Sequence, residues 1–317
     1  MAALPSPPTP PPHPCREWDA STLWARPGWR VSLPGTVVEE ARSAMGDRPA
    51  GAKDLDDFAF DPASTPLLAR FGHRLRERLL RLEGICWIQG LDAWGLSEEE
   101  QRFVYLALGL AMGEVLEPYG RLYAVEDRGV DYTTSAVPVS ATAATTGFHT
   151  DSSSIDNWPD IVGLLCESPG SQGGESLVSN GLRAHRELRL RAPQAIEILE
   201  QDFIRDIVTP GSARTRANLL RNRFPIFGSS GVPTLRYMRY WVERGQRDAG
   251  LPLSRRQTAA LDALDEVLRA PENVVQFRLE RGDMLFLDNR ILAHNRLAYQ
   301  DGEGSRRRLQ RIWINAA

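Results

Sequence analysis

Residues 79–90 read LLRLEGICWIQG, and Gly84 divides the run. ICWIQ is apolar, of strand length and closed by Gly90, which predicts a buried strand. SEEEQRFVYLALGLAMG follows. Ser97 is a good N-cap, Glu100 completes a capping box, and Phe103, Leu106, Leu110 and Met112 form an apolar face. This helix must end by Pro118. IVGLLCES (161–168) and ESLVSN (175–180) read as strands joined by the turn PGSQGG. Pro193 suits the first turn of a helix running to about Asp202. A second capping box, Ser254 with Gln257, opens a helix through TAALDALDEVL that stops before Pro271. RLYAV, FIRDIV, PTLRYMRYW, NVVQFRL and MLFLDN are further strand candidates.

RRLQRIWIN near the C-terminus alternates as a strand. One face carries Arg307, Leu309, Arg311 and Trp313; the other carries Arg308, Gln310, Ile312 and Ile314. Many short strands, with helices early or inserted, predict an α+β chain whose core is mainly β, a sandwich or jelly roll. A parallel βαβ fold would need regular alternation of strands and helices, which the second half lacks. Neither GxGxxG nor GxxxxGK[ST] occurs, so no nucleotide fingerprint supports such a fold.

Composition narrows the function classes. The chain has 317 residues, 42% hydrophobic and 25% charged, with net charge -3. It is long enough for a sizeable core and has no basic excess for nucleic acid. No apolar run approaches the ~18–20 residues of a membrane helix. Seven of the 22 prolines precede Cys15, so residues 1–15 read as an extended tail and 16–317 as one domain. The N-terminus lacks the pattern of a secretory signal. Cys15, Cys86 and Cys166 form no CxxC pair, which fits a reducing cytoplasm better than a disulfide or zinc scaffold. Lys53 is the single lysine, and arginine supplies the other basic residues.

Histidine is scarce: His13, His73, His149, His185 and His294. GFHTDSSS sets His149 and Asp151 two apart, so on extended backbone both project to one face and can share one ion. A third ligand must come from elsewhere. His73 and His185 lie on Arg-rich amphipathic helices and read as surface residues. His294, in LFLDNRILAHNR, follows a core strand. Two histidines and one carboxylate make the facial triad of non-haem Fe(II) oxygenases, with positions left open for a bidentate oxo-acid and for O2. Arg307 and Arg311 share a strand face beside Leu309 and Trp313. An arginine fork there can grip a carboxylate.

The ordered set FHTD, GGESLVSN, RGDMLFLDNRILAHNR and RRLQR resembles the taurine dioxygenase and clavaminate synthase-like superfamily of Fe(II)/2-oxoglutarate oxygenases. The resemblance spans roughly residues 80–315 and includes EGICWIQGLDAWGLSEEEQ. It implies a double-stranded β-helix, or jelly roll, with flanking and inserted helices. It also implies Fe(II), 2-oxoglutarate and O2 as cofactor and co-substrates. By position, His149, Asp151 and His294 match the iron ligands. Ser176 and Arg307 match the groups that hold 2-oxoglutarate, and Arg311 matches the second arginine, which often faces the substrate. Arg308 has a family-like spacing from His294, but only Arg307 shares the face of Arg311. Asn295 stands where relatives often have a small residue.

The reaction so implied is hydroxylation of an unactivated C–H bond, with release of succinate and CO2. An intact Asp151 disfavours halogenation. Desaturation, epoxidation or cyclisation by the same apparatus is the alternative, and a non-catalytic cupin-like metal protein is the reading from another class. The substrate implied is a small amino acid-like or carboxylate-bearing molecule. Asp156 and Asn157, the 129–134 segment and the Arg-rich 210–223 stretch are candidate walls.

Overall fold

The computed structural model describes residues 14–46, 55, 58–129, 139–152, 154–208, 213–228, 232–302 and 304–316. Most of the candidate 129–134 wall, and all of the tail before Pro14, lie outside these. Pro14–Arg16 forms a short helical turn, and Arg16 is buried with its guanidinium on Asp288 at 2.8 Å.

The larger sheet runs in the order Arg30–Ser32, Ile85–Gln89, Met284–Asp288, Ile161–Ser168 and Arg308–Asn315, with Glu114–Leu116 and Tyr123–Glu126 both pairing to the last. All its pairings are antiparallel except that of Arg30–Ser32 with Ile85–Gln89. The smaller sheet is Val274–Phe277, Ser176–Asn180 and Leu292–Arg296.

Each inner strand is apolar on both sides because both sides are covered. Cys86, Ile88, Met284, Phe286, Ile312 and Ile314 pack against helices Gly35–Gly46, Pro66–Arg81 and Glu98–Met112. Their neighbours Ile85, Trp87, Leu285, Leu287 and Leu309 meet Val178, Val275, Phe277 and Leu292 of the smaller sheet. Behind the smaller sheet, Leu177, Val274 and Ala293 join the core of helices Gly181–Arg191, Pro193–Leu199 and Arg255–Arg269. The architecture is two facing sheets with helices on both outer sides.

Local signals carry through. Ser97 and Glu100 form their capping box, as do Ser254 and Gln257. Cys86 and Cys166 are buried thiols that burial pushes up to about 12. Among the described residues, no helix is long and apolar enough to cross a membrane.

Three expectations are corrected. PTLRYMRYW contributes only a two-residue strand, Thr234–Leu235, before turning into helix Arg239–Asp248. Trp241 and Val242 are buried there, and Arg239 pairs with Glu243 one turn on, so helical spacing overrides the strand propensity of the aromatic run. FIRDIV keeps strand structure only in its first two residues, the end of strand Asp202–Ile204. His185 is not a surface residue. It is buried, edge-on to Phe227 with ring centroids 5.0 Å apart, and burial lowers its pKa even with Glu200 at 3.5 Å.

Gly163 shows how closely the larger sheet is packed. A Cβ there would lie 2.6 Å from Ile312 Cγ2, 2.6 Å from Phe286 Cε1 and 2.7 Å from Tyr105 Oη. Gly163→Ala is expected to destabilise the fold by about 1–3 kcal/mol through overpacking. An unchanged midpoint in thermal or urea unfolding would contradict this packing.

Candidate metal centre and its cavity

His149 is held by backbone on both sides. It exchanges two hydrogen bonds with His294, His149 N to His294 O at 2.9 Å and His294 N to His149 O at 2.8 Å. On its other flank Thr150 N donates to Tyr237 O, and Tyr237 N donates to Thr150 Oγ1. This pairing leaves His149 in isolated antiparallel bridges to Met238 and His294, and the ligand atoms of His149 and Asp151 converge on one side.

The chain must then turn sharply. Ser152 takes a left-handed φ of +74°, the single non-glycine residue with positive φ among those described. Such a conformation costs about 1–2 kcal/mol and persists where surrounding contacts impose it. Asn289 imposes it here. Its Oδ1 accepts from Asp151 N at 2.7 Å, while its Nδ2 donates to Asp151 O at 3.2 Å and Pro159 O at 3.0 Å.

The imidazole centroids of His149 and His294 are 4.3 Å apart. His149 Nε2 is 3.7 Å and His294 Nε2 3.6 Å from Asp151 Oδ1. The three ligand atoms lie within 4.8 Å of one another, close enough for one divalent cation with bonds of about 2.0–2.2 Å. His149 Nδ1 lies 2.9 Å from Gly147 O, which favours the tautomer with its proton on Nδ1 and leaves the Nε2 lone pair for a metal.

Burial pushes His149 down to about 3, so its ring is neutral and ready to ligate. Burial alone would raise the Asp151 carboxyl. Arg311 and the two histidines more than offset it, holding Asp151 below its ordinary value and ionised. The donor set therefore suits a cation that prefers nitrogen and carboxylate oxygen.

The triad opens into a cavity whose lining includes Ser176, Arg296, Arg307 and Arg311, with apolar walls from Val125, Leu164, Leu287 and Leu309. Arg307 is buried and lies over the Tyr299 ring at 5.2 Å. Its Nη1 has no hydrogen-bond partner, and burial, with Arg296 nearby, lowers its pKa to about 10. Arg308 points the other way, to Glu167 on the helix side at 2.9 Å.

Arg311 reaches Asp151 Oδ2 at 3.2 Å and is ringed by Tyr119, Tyr123 and Trp313. Asp156 and Asn157 do not line this cavity. Asp156 lines a separate one with Ile155, Asn218 and Arg221. From the 210–223 stretch, Arg214 is engaged with Asp206 and Asp248.

Sequence reasoning missed Asn289, Arg296, Tyr299 and Trp313. Arg296 is buried, donates to Thr142 O at 2.7 Å and to Ala144 O, and lies 4.8 Å from the Tyr299 ring. Asn289 and Arg296 had a signal in LFLDNRILAHNR, where polar residues interrupt an otherwise apolar run.

A two-histidine, one-carboxylate cluster between two facing β-sheets, its carboxylate buried, is the pattern of mononuclear non-haem metal oxygenases. Residues 51–313 match the family model "Taurine catabolism dioxygenase TauD, TfdA family", and the chain belongs to this family. It is an Fe(II)/2-oxoglutarate-dependent dioxygenase. FR-33289 synthase of Streptomyces rubellomurinus is 29% identical over 294 residues, 88% of this chain and 81% of that one. Gamma-butyrobetaine dioxygenase of Homo sapiens is 27% identical over 214 residues, 64% of this chain and 51% of that one. Among solved structures, an asparagine oxygenase bound to Fe(II), 3-hydroxyasparagine and succinate superposes with a TM-score of 0.65 at 20% identity, covering 91% of this chain and 94% of that one. The two facing sheets are thus the jelly roll of this family, with helices outside it.

Because Asn289 fixes the backbone that presents Asp151, Asn289→Ala is expected to weaken Fe(II) or Co(II) binding about 10–100-fold. Anaerobic metal titration with circular dichroism measures this. Wild-type affinity in a folded variant would show that the clamp is dispensable.

Proposed function

We propose that His149, Asp151 and His294 ligate the iron, and that Arg307 and Ser176 hold the distal carboxylate of 2-oxoglutarate. Bound together, iron, 2-oxoglutarate and O2 supply the oxidising power that converts a C–H bond to C–OH as succinate and CO2 are released. The protein contributes placement and dryness. Leu164, Leu287 and Leu309 wall the cavity against water. The unpartnered Nη1 of Arg307 supports the co-substrate reading, because a buried guanidinium N–H without an acceptor is costly unless a ligand supplies one.

The charge of the cavity supports a substrate class. Among the described residues, three arginines line it against one carboxylate, Asp151. Fe(II) and a 2-oxoglutarate dianion cancel each other, so the excess of positive charge survives their binding. An anionic substrate balances it. The best reading is hydroxylation of a small polar, carboxylate-bearing molecule of the amino-acid type. Relatives whose names carry butyrobetaine and asparagine fit that class. Asp156, in its neighbouring cavity, and Asn157, on the same loop, stay candidates for the outer wall.

Anaerobic Fe(II) plus 2-oxoglutarate should give a weak visible charge-transfer band, and His149→Ala or Asp151→Ala should abolish substrate-dependent succinate release. Full turnover in either variant would sink the ligand assignment.

Arg307→Ala should raise the KM for 2-oxoglutarate at least ten-fold, whereas Arg308→Ala should leave it near wild type. The reverse order would move the co-substrate site to Arg308. A panel of carboxylate-bearing small molecules and the matching carboxamides tests the charge argument, with turnover expected only from the members that keep the carboxylate.

A further inference from the structure

The two oxygens of Asp151 have different surroundings. Oδ1 faces the imidazoles, 3.7 Å from His149 Nε2 and 3.6 Å from His294 Nε2. Oδ2 is occupied from behind by Trp313 Nε1 at 2.6 Å and Arg311 Nη1 at 3.2 Å. The indole contact is shorter than the roughly 2.9 Å typical of N–H···O bonds, as suits a donor to an ionised acceptor. Both partners are buried. An indole has one N–H and no acceptor, so this bond uses the whole polar capacity of Trp313.

The same ring lies 5.0 Å from the Arg311 guanidinium, and Tyr119 packs edge-on against it at 5.6 Å. Trp313 thus bonds the carboxylate directly and also braces the arginine that bonds the same oxygen.

We infer that Trp313 is a positioning residue of the metal centre: together with Arg311 it engages Oδ2, so that Asp151 offers Oδ1 alone. The inference rests on the proposal that His149, Asp151 and His294 are the iron ligands. A carboxylate can bind a cation through one oxygen or two. In a site that must also admit a chelating co-substrate, a second carboxylate oxygen would take a position the co-substrate needs. An apolar ring at 313 would fill the space without enforcing this choice, so the indole N–H is the functional part of the residue.

The direct test needs no substitution. The infrared difference spectrum of Fe(II)-loaded minus metal-free wild-type protein, recorded anaerobically, reports the gap between the antisymmetric and symmetric carboxylate stretches. A wide gap, the signature of one-oxygen ligation, is expected. A narrow, two-oxygen gap overturns the inference. Failure of the wild type to bind Fe(II) at all would instead overturn the ligand assignment beneath it.

Trp313→Phe then separates the N–H from the ring. It should weaken Fe(II) binding about 10–100-fold, narrow the carboxylate gap and raise the KM for 2-oxoglutarate more than it lowers kcat. Trp313→His, which keeps a ring N–H, should recover part of each effect. Wild-type Fe(II) affinity and an unchanged infrared gap in folded Trp313→Phe would reduce Trp313 to a packing residue.

Discussion

His149 and His294 exchange backbone hydrogen bonds, and the geometry of the cavity is referred to that pair. The two residues are 145 positions apart in sequence, on segments with different neighbours. Their mutual bonds bring the imidazoles together, with centroids 4.3 Å apart and the rings tilted by 49°, before any metal is present. The ligand atom of Asp151, two residues on from His149, converges on the same side. The Ser152 turn and the Asn289 clamp then stop the chain from running on as a strand. The donors are therefore preorganised by main chain, and the cost of ordering three side chains is met largely during folding.

Charge is the second organising feature. Burying arginines is unfavourable unless each finds an acceptor or an aromatic face. Arg311 has the Asp151 carboxylate, and Arg296 has the Thr142 and Ala144 carbonyls. Arg307 has the Tyr299 ring and a weak contact to Gly174 O at 3.5 Å. Arg296 Nε and Arg307 Nη1 are each left without an acceptor, and Arg307 lies where a ligand's carboxylate can complete it. On the far side of the same strand, Arg308 and Gln310 converge with Arg102 on Glu167. That network gathers on the helix side of the sheet, away from the cavity.

Much of this was readable from local chemistry. Capping boxes at Ser97 and Ser254 mark helix starts because both partners lie within one turn. The alternation of residues 307–314 separates the cavity face from the helix face, since a strand has a period of two. His149 and Asp151 stand out because their spacing matters only on extended backbone. What could not be read depends on distant partners. Asn289 reaches Asp151 across 138 positions and Trp313 reaches it across 162. The polar break at Asn289 and the strand face of Trp313 are visible locally, but neither window names Asp151 as the partner. His185 was misjudged because the arginines around it describe the exposed side of its helix, while its buried side is defined by Phe227, an element apart. The PTLRYMRYW run went wrong for a related reason: propensity cannot say which face a tertiary neighbour will cover.

The strand Arg308–Asn315 can be read in one frame only. It pairs with Ile161–Ser168 through Ile314, and its register already shifts once, between Arg308 and Leu309. A slip by one further residue would turn the cavity-facing guanidinium of Arg311 into the helix-packed core and bring Ile312 toward the His149–Asp151–His294 cluster. Packing and chemistry would fail together, with no half-working register between. A substitution along this stretch leaves the two faces in place, whereas inserting or deleting one residue within Arg308–Asn315 would exchange them.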